Sequence, residues 1–317
     1  MVSALQSIYI NDDNNTFTVF LPSEYYVYQC NPFKSVFHRE NIDISIRFGV
    51  TCLGYRLLAC TGLPADPEFD SRCVCIFDHD QKEEEQIIFK ETLKQHVLAL
   101  RISSDLLIVG FHQHIEIWDI GLKKQIQVVQ TALNIHSPCD MSSNMKMLAF
   151  SGQEPTSINV YFLEDSQLNN IKAADDTVSM VKFSHDSKYV ATTSSDGKVV
   201  RVFETDNFNC IKKFKRGNTA SVIHSIAFSP DNDFIAIISQ NGTLHFFDLR
   251  NKKGSSVSTD RAFHKITIGS SVLSHILWYS PSQIAVMTMR GQMVNIAIEP
   301  NTCHEVGREQ KVFYETY

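Results

Sequence analysis

The sequence predicts an all-β fold, a seven-bladed β-propeller of the WD-repeat type that forms a single domain over residues 1–317. The main evidence is internal repetition, because segments 178–205 and 222–249 contain matching residues at an offset of 45. Matching positions hold the same residue types: Phe183 and Phe228, Asp186 and Asp231, Gly197 and Gly242. A period of about 40–45 residues is typical of propeller blades. Dividing the 317 residues by about 45 gives about seven blades.

Each repeat is predicted to be a meander of short antiparallel strands. An alternating apolar run is followed by a polar turn, a second apolar run, a glycine turn and a third run. Alternation fits strands because successive side chains point to opposite faces, and Asp and Gly suit tight turns. Weaker copies lie at residues 9–30, 97–120 and 276–298. A two-domain β-sandwich is the alternative, which the regular offset disfavours.

Polar stretches interrupt this pattern. Residues 63–70 and 82–85 are rich in acidic side chains and are predicted to be exposed loops of the second blade. The charged stretch 82–95 is the best helix candidate, and we expect it to connect two blades. Residues 250–261, with the sequence RNKKGSSVSTDR, are predicted to form a short polar loop on blade six.

Composition restricts the function. Lys and Arg total 29 and Asp and Glu total 35, so the net charge of −6 excludes a polycation that coats nucleic acid. No apolar run reaches the roughly 18–20 residues that span a bilayer, and no secretory leader pattern is present. The eight scattered cysteines are therefore expected to be free thiols, most of them buried. These features predict a soluble, cytosolic protein.

The sequence holds no recognisable catalytic or cofactor-binding motif. It lacks a phosphate loop ending in Gly-Lys-Ser/Thr, a GxGxxG fingerprint, an HExxH motif and a GxSxG elbow. His112 and His114 share a strand face, but two imidazoles without a third ligand do not make a metal site. We therefore predict a protein that is not an enzyme and that uses no metal or cofactor.

One segment, from Lys198 to Arg216, is strongly basic, with six cations against two acidic residues. Within it, Phe214-Lys215-Arg216-Gly217 places two adjacent cations in an extended segment before a glycine turn. Neighbouring side chains in a strand point to opposite faces, so Lys215 and Arg216 are expected to serve two different pockets. Guanidinium and hydroxyl donors together suit phosphate oxygens. Gatekeeping lysines on a solvated strand edge are the alternative explanation.

These residues resemble the PROPPIN family, the phosphoinositide-binding WD-repeat propellers that include the WIPI proteins of autophagy. Phe214-Lys215-Arg216-Gly217 is similar to the family motif Phe/Leu-Arg-Arg-Gly, with Lys215 as one conservative change. The resemblance continues along the chain in the family's order. It covers residues 28–33, 58–62, 131–134, 191–201 and 242–247.

The resemblance implies two headgroup pockets, for phosphatidylinositol 3-phosphate and phosphatidylinositol 3,5-bisphosphate. Carried over by position, the first pocket consists of Ser194, Lys198, Arg201 and Lys215. The second consists of Arg216, Thr219, Ser239, Thr243 and His245. Near the first pocket the family usually has a histidine about nine residues before Phe183, where this chain has Ala174 and Asp175, and an aspartate near a phosphate repels it. In the second pocket, His245 is expected to bind phosphate more tightly as the pH falls through roughly 6.5.

The resemblance also implies recruitment to membranes instead of catalysis. The protein would be a monomeric adaptor in autophagy or endosomal and vacuolar traffic, recruited from the cytoplasm to autophagosome-precursor, endosomal or vacuolar membranes. Family members add a long loop on the sixth blade that inserts into the bilayer, whereas loop 250–261 is short. We expect it to supply only electrostatic contacts. These contacts are Arg250, Lys252, Lys253 and Arg261.

A protein partner is implied as well. In the family the partner surface lies toward the second and third blades and resembles a docking site for a large lipid-transfer protein of autophagy. The acidic loops at residues 66–70 and 82–85 are candidate docking elements. The alternative function is a lipid-independent WD-repeat scaffold, which the altered first pocket and the short loop favour.

Overall fold

The structure, a computed structural model, describes residues 4–40, 42–82, 85–250, 259–269 and 272–314. These described residues form 29 β-strands in seven sheets. In every sheet four strands pair antiparallel with their neighbours, and the fifth sheet has one additional strand that pairs parallel. The all-β prediction with seven blades is confirmed. The chain divides into two compact units, one containing the first three sheets and the other the last four. A single domain over residues 1–317 stays a prediction.

The first unit contains three four-stranded sheets. The first sheet comprises β1 (Ser7–Ile10), β2 (Thr16–Phe20), β3 (Tyr25–Gln29) and β4 (Lys34–Arg39). The second comprises β5 (Ile46–Cys52), β6 (Leu57–Gly62), β7 (Cys73–Asp78) and β8 (Ile87–Thr92). The third comprises β9 (Ala99–Ile102), β10 (Leu106–Gly110), β11 (His114–Asp119) and β12 (Lys124–Gln130). Every residue of β6 and β7 is buried, whereas the fourth strands are largely exposed.

The second unit contains the remaining four sheets. The fourth comprises β13 (Cys139–Met141), β14 (Met147–Ser151), β15 (Ser157–Phe162) and β16 (Leu168–Lys172). The fifth comprises β17 (Val178–Phe183), β18 (Tyr189–Ser194), β19 (Val199–Glu204), β20 (Cys210–Lys215) and the added strand β24 (Thr259–Arg261). The sixth comprises β21 (Ile223–Phe228), β22 (Phe234–Ser239), β23 (Thr243–Asp248) and β25 (His264–Thr267). The seventh comprises β26 (Ser274–Ser280), β27 (Gln283–Thr288), β28 (Gln292–Ile298) and β29 (Glu305–Val312).

The sequence repeat is a repeat of hydrogen bonds. Asp186 Oδ1 accepts the Ser184 hydroxyl at 2.8 Å, and in the next blade Asp231 Oδ1 accepts the Ser229 hydroxyl at 2.5 Å. Both serine hydroxyls accept a backbone N–H from the start of the following strand. The paired glycines, Gly197 and Gly242, both have positive φ. The Asp and Gly positions are therefore fixed by turn geometry.

One expectation fails: the charged stretch 82–95 contains strand β8, not a helix. Its Phe89 is buried although most of its neighbours are exposed, as expected for the outer strand of a blade. Among the described residues, no helix is long and apolar enough to cross a bilayer. All eight cysteines are free thiols, and seven are buried, as the sequence predicts.

We expect replacement of Phe214 by alanine to destabilise the protein by about 3–5 kcal/mol, the usual cost of emptying an aromatic core position. Phe214 is fully buried, and its ring stacks on Phe247 with 4.7 Å between centroids. Urea denaturation monitored by fluorescence would measure the change. The neighbouring half-buried Lys213→Ala serves as the control and should cost far less. A loss below about 1 kcal/mol for Phe214→Ala would contradict this packing.

Candidate anion-binding site

Arg216 lies immediately after strand β20, and its guanidinium is held in place by backbone carbonyls. Nε donates to the Gly197 carbonyl at 2.7 Å, and Nη2 donates to the Thr219 carbonyl. The residue is only 7% exposed, and no carboxylate within the described residues forms an ion pair with it. Burial lowers the pKa of Arg216, an effect that the nearby Asp196 partly opposes. The structure therefore places a buried, oriented guanidinium without a carboxylate ion-pair partner among the described residues.

Glycine is required at position 197 because of this arrangement. Its φ is +59°, and a Cβ there would lie 2.0 Å from the Ser221 carbonyl oxygen. The close approach of the two backbones lets the Gly197 carbonyl reach Arg216. The glycine that the repeat pattern identified as a turn residue thus also positions the arginine.

The other residues of the predicted second pocket lie on the adjoining sheet. Ser239 ends β22, and Thr243 and His245 lie on β23. Ser239 Oγ and His245 Nδ1 are buried and have no hydrogen-bond partner within the described part of the chain. A water molecule or a ligand can complete such buried polar atoms. Thr219 differs from expectation, because its side chain is exposed and its carbonyl contacts Arg216.

The imidazole of His245 is neutral at physiological pH. Burial, with contributions from Lys265 and Arg216, lowers its pKa from 6.5 to about 4. Lys265 lies directly opposite His245 on β25, so the two cations raise the cost of a third positive charge there. The expectation that His245 gains charge near pH 6.5 is therefore wrong for the free protein. A neutral imidazole still offers one N–H donor and one acceptor.

Three residues of the predicted first pocket form hydrogen bonds or ion pairs with carboxylates of the same chain: Ser194, Lys198 and Arg201. Arg201, only 7% exposed, forms an ion pair with Asp175 at 2.5 Å, and the hydrogen bond from Arg201 lowers the pKa of Asp175. Asp196 accepts the Ser194 hydroxyl at 2.7 Å and pairs with Lys198 at 3.2 Å. Burial disfavours ionisation of Asp196, yet these hydrogen bonds hold its pKa below the usual value.

Lys215 lies on β20 opposite Val199, the residue that follows Lys198 on the chain. It lines a cavity of about 130 Å³ together with Arg216. Separate pockets for Lys215 and Arg216 stay a prediction. The remaining lining residues come from the turn after β20 and from the segment around β24 and β25. They are Gly217, Asn218, Arg261, Ala262 and Lys265.

The cations predicted for membrane contact have different surroundings. Arg250 pairs with Asp248 at 2.7 Å, and its guanidinium lies 4.5 Å from the centroid of the Phe234 ring. Arg261 belongs to β24 and lines the cavity beside Lys215. Lys252 and Lys253 lie outside the described residues. Arg250 is therefore engaged within the chain.

Two carboxylates of the acidic loop at residues 66–70 contact neighbouring groups of the same chain. Asp66 Oδ1 accepts the backbone N–H groups of Glu68 and Phe69, both at 2.9 Å. Asp70 pairs with Arg72 at 2.6 Å. Residues 83–84 of the other loop lie outside the described residues. A docking role for these loops stays a prediction.

Sequence reasoning missed three residues around the site. Lys265 lies opposite His245, and Asp196 pairs with Lys198 and lies near Arg216. Asp260 pairs with Lys212 at 3.0 Å. The sequence shows Asp196 two residues before Lys198, but this spacing does not predict which cation the Asp196 carboxylate contacts. The Lys212–Asp260 pair joins positions 48 residues apart, and no local pattern indicates it.

We expect the His245 imidazole to titrate near pH 4, so its NMR signals should stay constant between pH 8 and 5.5. Between about pH 6.5 and 4 the unfolded chain binds a proton that folded His245 does not. Stability should therefore fall as the pH decreases through this range. His245→Gln, which cannot titrate, should weaken that pH dependence. A titration midpoint near 6.5 in the folded protein would contradict the burial argument.

Comparisons with known proteins agree with this architecture. The family model described as PROPPIN matches residues 70–299. Autophagy-related protein 18 of Schizosaccharomyces pombe is 25% identical over 249 residues, which cover 71% of this chain and 65% of that protein. The match thus spans just under two thirds of that relative's length.

Two solved structures show the fold. Kluyveromyces lactis Hsv2 with its complete loop 6CD has a TM-score of 0.82 at 20% identity, covering 97% of this chain and 99% of that chain. KlAtg21, in complex with the coiled coil of AgAtg16, has a TM-score of 0.79 at 19% identity, covering 98% and 100%. This likeness confirms the seven-bladed β-propeller prediction. Since the family model covers more than half of the sequence, the chain belongs to the PROPPIN family.

Proposed function

We propose that the protein is a peripheral membrane adaptor that binds 3-phosphorylated phosphoinositides through one pocket. That pocket contains Arg216, Ser239, Thr243 and His245, and the ligand is phosphatidylinositol 3-phosphate or phosphatidylinositol 3,5-bisphosphate. The observation that supports this most directly is the buried Arg216 guanidinium, which has carbonyl partners but no carboxylate among the described residues.

The energetics of burial favour an anionic ligand. A buried charge is costly unless it is paired, and carbonyl dipoles compensate it only in part. A phosphate group would supply the missing negative charge through charge-assisted hydrogen bonds, which are about twice as strong as neutral ones. The unpartnered Ser239 hydroxyl and His245 ring nitrogen would gain partners from the same ligand. Because the donors are already oriented, binding would require little reorganisation.

We further propose that the chain uses one such pocket instead of two. Asp175 already forms an ion pair with Arg201. Asp196 accepts a hydrogen bond from Ser194 and forms an ion pair with Lys198. A phosphate would have to displace a carboxylate at each position. Two sites on one surface can strengthen membrane binding about 10²–10⁴-fold, and a chain with one pocket forgoes this gain. We therefore expect weaker vesicle binding than a two-pocket protein would show.

The cellular role that we propose is in autophagy or in endosomal and vacuolar traffic. Autophagy-related protein 18 of Schizosaccharomyces pombe is named for autophagy, and KlAtg21 has been solved with a coiled-coil protein. By analogy, the adaptor would hold a protein partner at the membrane surface. The autophagy lipid-transfer protein remains one proposed partner.

A lipid-independent scaffold is the second candidate function. Arg201 forms an ion pair with Asp175, and Arg250 forms one with Asp248. These pairs neutralise two positive charges that could otherwise bind a membrane. A scaffold would bind its protein partner equally well with and without phosphorylated lipid. Vesicle binding separates the two functions.

Arg216→Gln should abolish most binding to vesicles that contain phosphatidylinositol 3-phosphate, with a loss of roughly tenfold or more. One charge-assisted contact to a buried site contributes about 1.5–3 kcal/mol. Vesicle co-sedimentation would measure the loss, with thermal denaturation to verify that the variant folds. Lys146→Gln, which removes an exposed cation elsewhere in the same unit, is the matched control. If wild type binds vesicles equally with and without the lipid, the scaffold function is favoured.

Asp175→Ser should increase affinity for the same vesicles by about threefold or more, because it frees the Arg201 guanidinium for a second phosphate. Asp176→Ser is the matched control, since it removes the same charge from the adjacent residue, which accepts the Ser195 hydroxyl and not Arg201. An equal gain in both variants would show a general charge effect. If Asp175→Ser does not increase the affinity, the Asp175 carboxylate is not what prevents Arg201 from binding a phosphate.

A further inference from the structure

Another cavity, of about 320 Å³, lies in the fourth sheet and is called here the fourth-sheet cavity. The turn between β13 and β14 and the turn between β15 and β16 form it. A backbone hydrogen bond joins the two turns, because the Leu163 N–H donates to the Lys146 carbonyl at 2.9 Å. The residues that line the cavity are Asn144, Lys146, Met147, Phe162, Glu164 and Asp165. None of them belongs to the pocket proposed for lipid binding.

The inner wall of the fourth-sheet cavity is apolar. Met147 is only 6% exposed and belongs to a hydrophobic cluster that the fourth and fifth sheets share. The half-buried Phe162 packs edge-on against Phe208 of the fifth sheet, with 6.3 Å between ring centroids. Packing on Phe208 therefore fixes the position of the Phe162 ring at the cavity.

The outer part of the fourth-sheet cavity is charged. Glu164 forms an exposed ion pair with Lys146 at 2.7 Å. Asp165 Oδ1 accepts the backbone N–H of Gln167 at 3.1 Å, and the Asp165 carboxylate forms no ion pair within the described residues. The cavity thus combines an aromatic ring with a carboxylate that no cation of the described chain neutralises.

The internal repeat relates this cavity to a place in the sixth sheet. In both sheets the residue after the third strand donates its backbone N–H to the carbonyl just before the second strand. These bonds run from Leu163 to Lys146 at 2.9 Å and from Leu249 to Asp233 at 2.8 Å. By this correspondence, Glu164 takes the position that Arg250 has in the sixth sheet.

In the sixth sheet, the chain's own arginine packs at the corresponding place. The Arg250 guanidinium lies 4.5 Å from the centroid of the Phe234 ring, and its Nη2 pairs with Asp248 at 2.7 Å. Arginine suits such surroundings because its stem packs on apolar groups, while its planar head stacks on a ring and binds a carboxylate. The fourth sheet offers the same kinds of partner, the Phe162 ring and the Asp165 carboxylate, without an arginine in its turn.

We propose that the fourth-sheet cavity is a docking site for an arginine side chain of a partner protein. The partner's guanidinium stacks on Phe162 and pairs with Asp165, and its aliphatic stem lies against Met147. Charge complementarity favours this occupant, since one lysine and two carboxylates give the lining a formal charge of −1. A lysine fits less well, because an ammonium is a point charge that cannot form the two parallel hydrogen bonds of a guanidinium.

Binding of three short peptides to the intact protein tests the proposal. They are acetyl-Gly-Arg-Gly-amide and the same peptide with lysine or with citrulline, the uncharged analogue of arginine, at the central position. NMR of methionine methyl groups measures binding through the Met147 signal, since Met147 lines the cavity. We expect the arginine peptide to shift this signal saturably. It should bind about threefold more tightly than the lysine peptide and about tenfold more tightly than the citrulline peptide.

Two substitutions should weaken binding of the arginine peptide. Asp165→Asn should cost about tenfold, and it keeps the side-chain oxygen that accepts the Gln167 N–H. Asp176→Asn, which removes an exposed carboxylate elsewhere in the same unit, is the matched control and should leave the affinity unchanged. Phe162→Leu, which keeps an apolar side chain and removes the ring, should cost about threefold. Thermal denaturation verifies that each variant folds.

One substitution should strengthen binding. Lys146→Gln removes the cation that pairs with Glu164, so a second carboxylate becomes available to the guanidinium and the affinity should rise about threefold. Lys188→Gln is the matched control, because the Lys188 carbonyl accepts the N–H of Thr205 as the Lys146 carbonyl accepts that of Leu163. An equal gain in both variants would show a general charge effect and contradict the role of Glu164.

Three results would overturn the docking site. One is equal affinity for the arginine and citrulline peptides, and another is an equal loss in Asp165→Asn and Asp176→Asn. The third is the absence of a saturable shift of the Met147 signal. Since no probe contains lipid or phosphate, these results leave the proposed membrane function untouched.

Discussion

The candidate site depends on one interaction, the hold of two backbone carbonyls on the Arg216 guanidinium. Carbonyls orient a cation without cancelling its charge, whereas a carboxylate would do both. The surrounding fold fixes this arrangement from two sides. Gly197 brings one carbonyl close because its positive φ lets two backbones approach. Phe214, two residues before Arg216, anchors the end of β20 through its buried stack on Phe247. Within the part of the chain that the structure describes, the charge of Arg216 is thus oriented by carbonyls and has no carboxylate ion pair.

Arg201 and Arg216, the arginines of the two predicted pockets, bind different kinds of group, although both are 7% exposed. Arg201 contacts an internal carboxylate, and Arg216 contacts carbonyls. The difference does not come from burial, which is the same for both residues. It comes from Asp175, an acidic side chain on the loop before β17. Asp175 therefore engages Arg201, while Asp196 engages the neighbouring Ser194 and Lys198.

The fold was predictable because the repeat is encoded locally. Turn residues such as Asp186 and Gly197 fix hairpins within a few positions, and the structure shows the same hydrogen bonds in consecutive blades. The position of Arg216 was also predictable from its motif. The protonation of His245 was not, because its pKa depends on burial and on Lys265 from a different strand. Likewise, the stretch 82–95 has helix-like charge, but pairing with β7 makes it a strand, since tertiary hydrogen bonding overrides weak propensity.

Strand β24, which pairs with β20 of the fifth sheet before the chain enters the sixth, brings positive charge to the site. An exposed edge strand such as β20 offers unpaired backbone groups, and β24 covers part of that edge with the chain's own backbone. While Asp260 pairs with Lys212, residues 259–261 are committed to the protein surface and cannot also enter a bilayer. The same commitment brings Arg261 to the cavity instead of to the tip of a loop. The sequence of residues 250–261 contains one large apolar side chain, Val257, and β24 adds positive charge beside Arg216. The protein's attachment to a membrane would depend on recognition of phosphate groups, and salt would weaken that attachment more than it weakens an inserted loop.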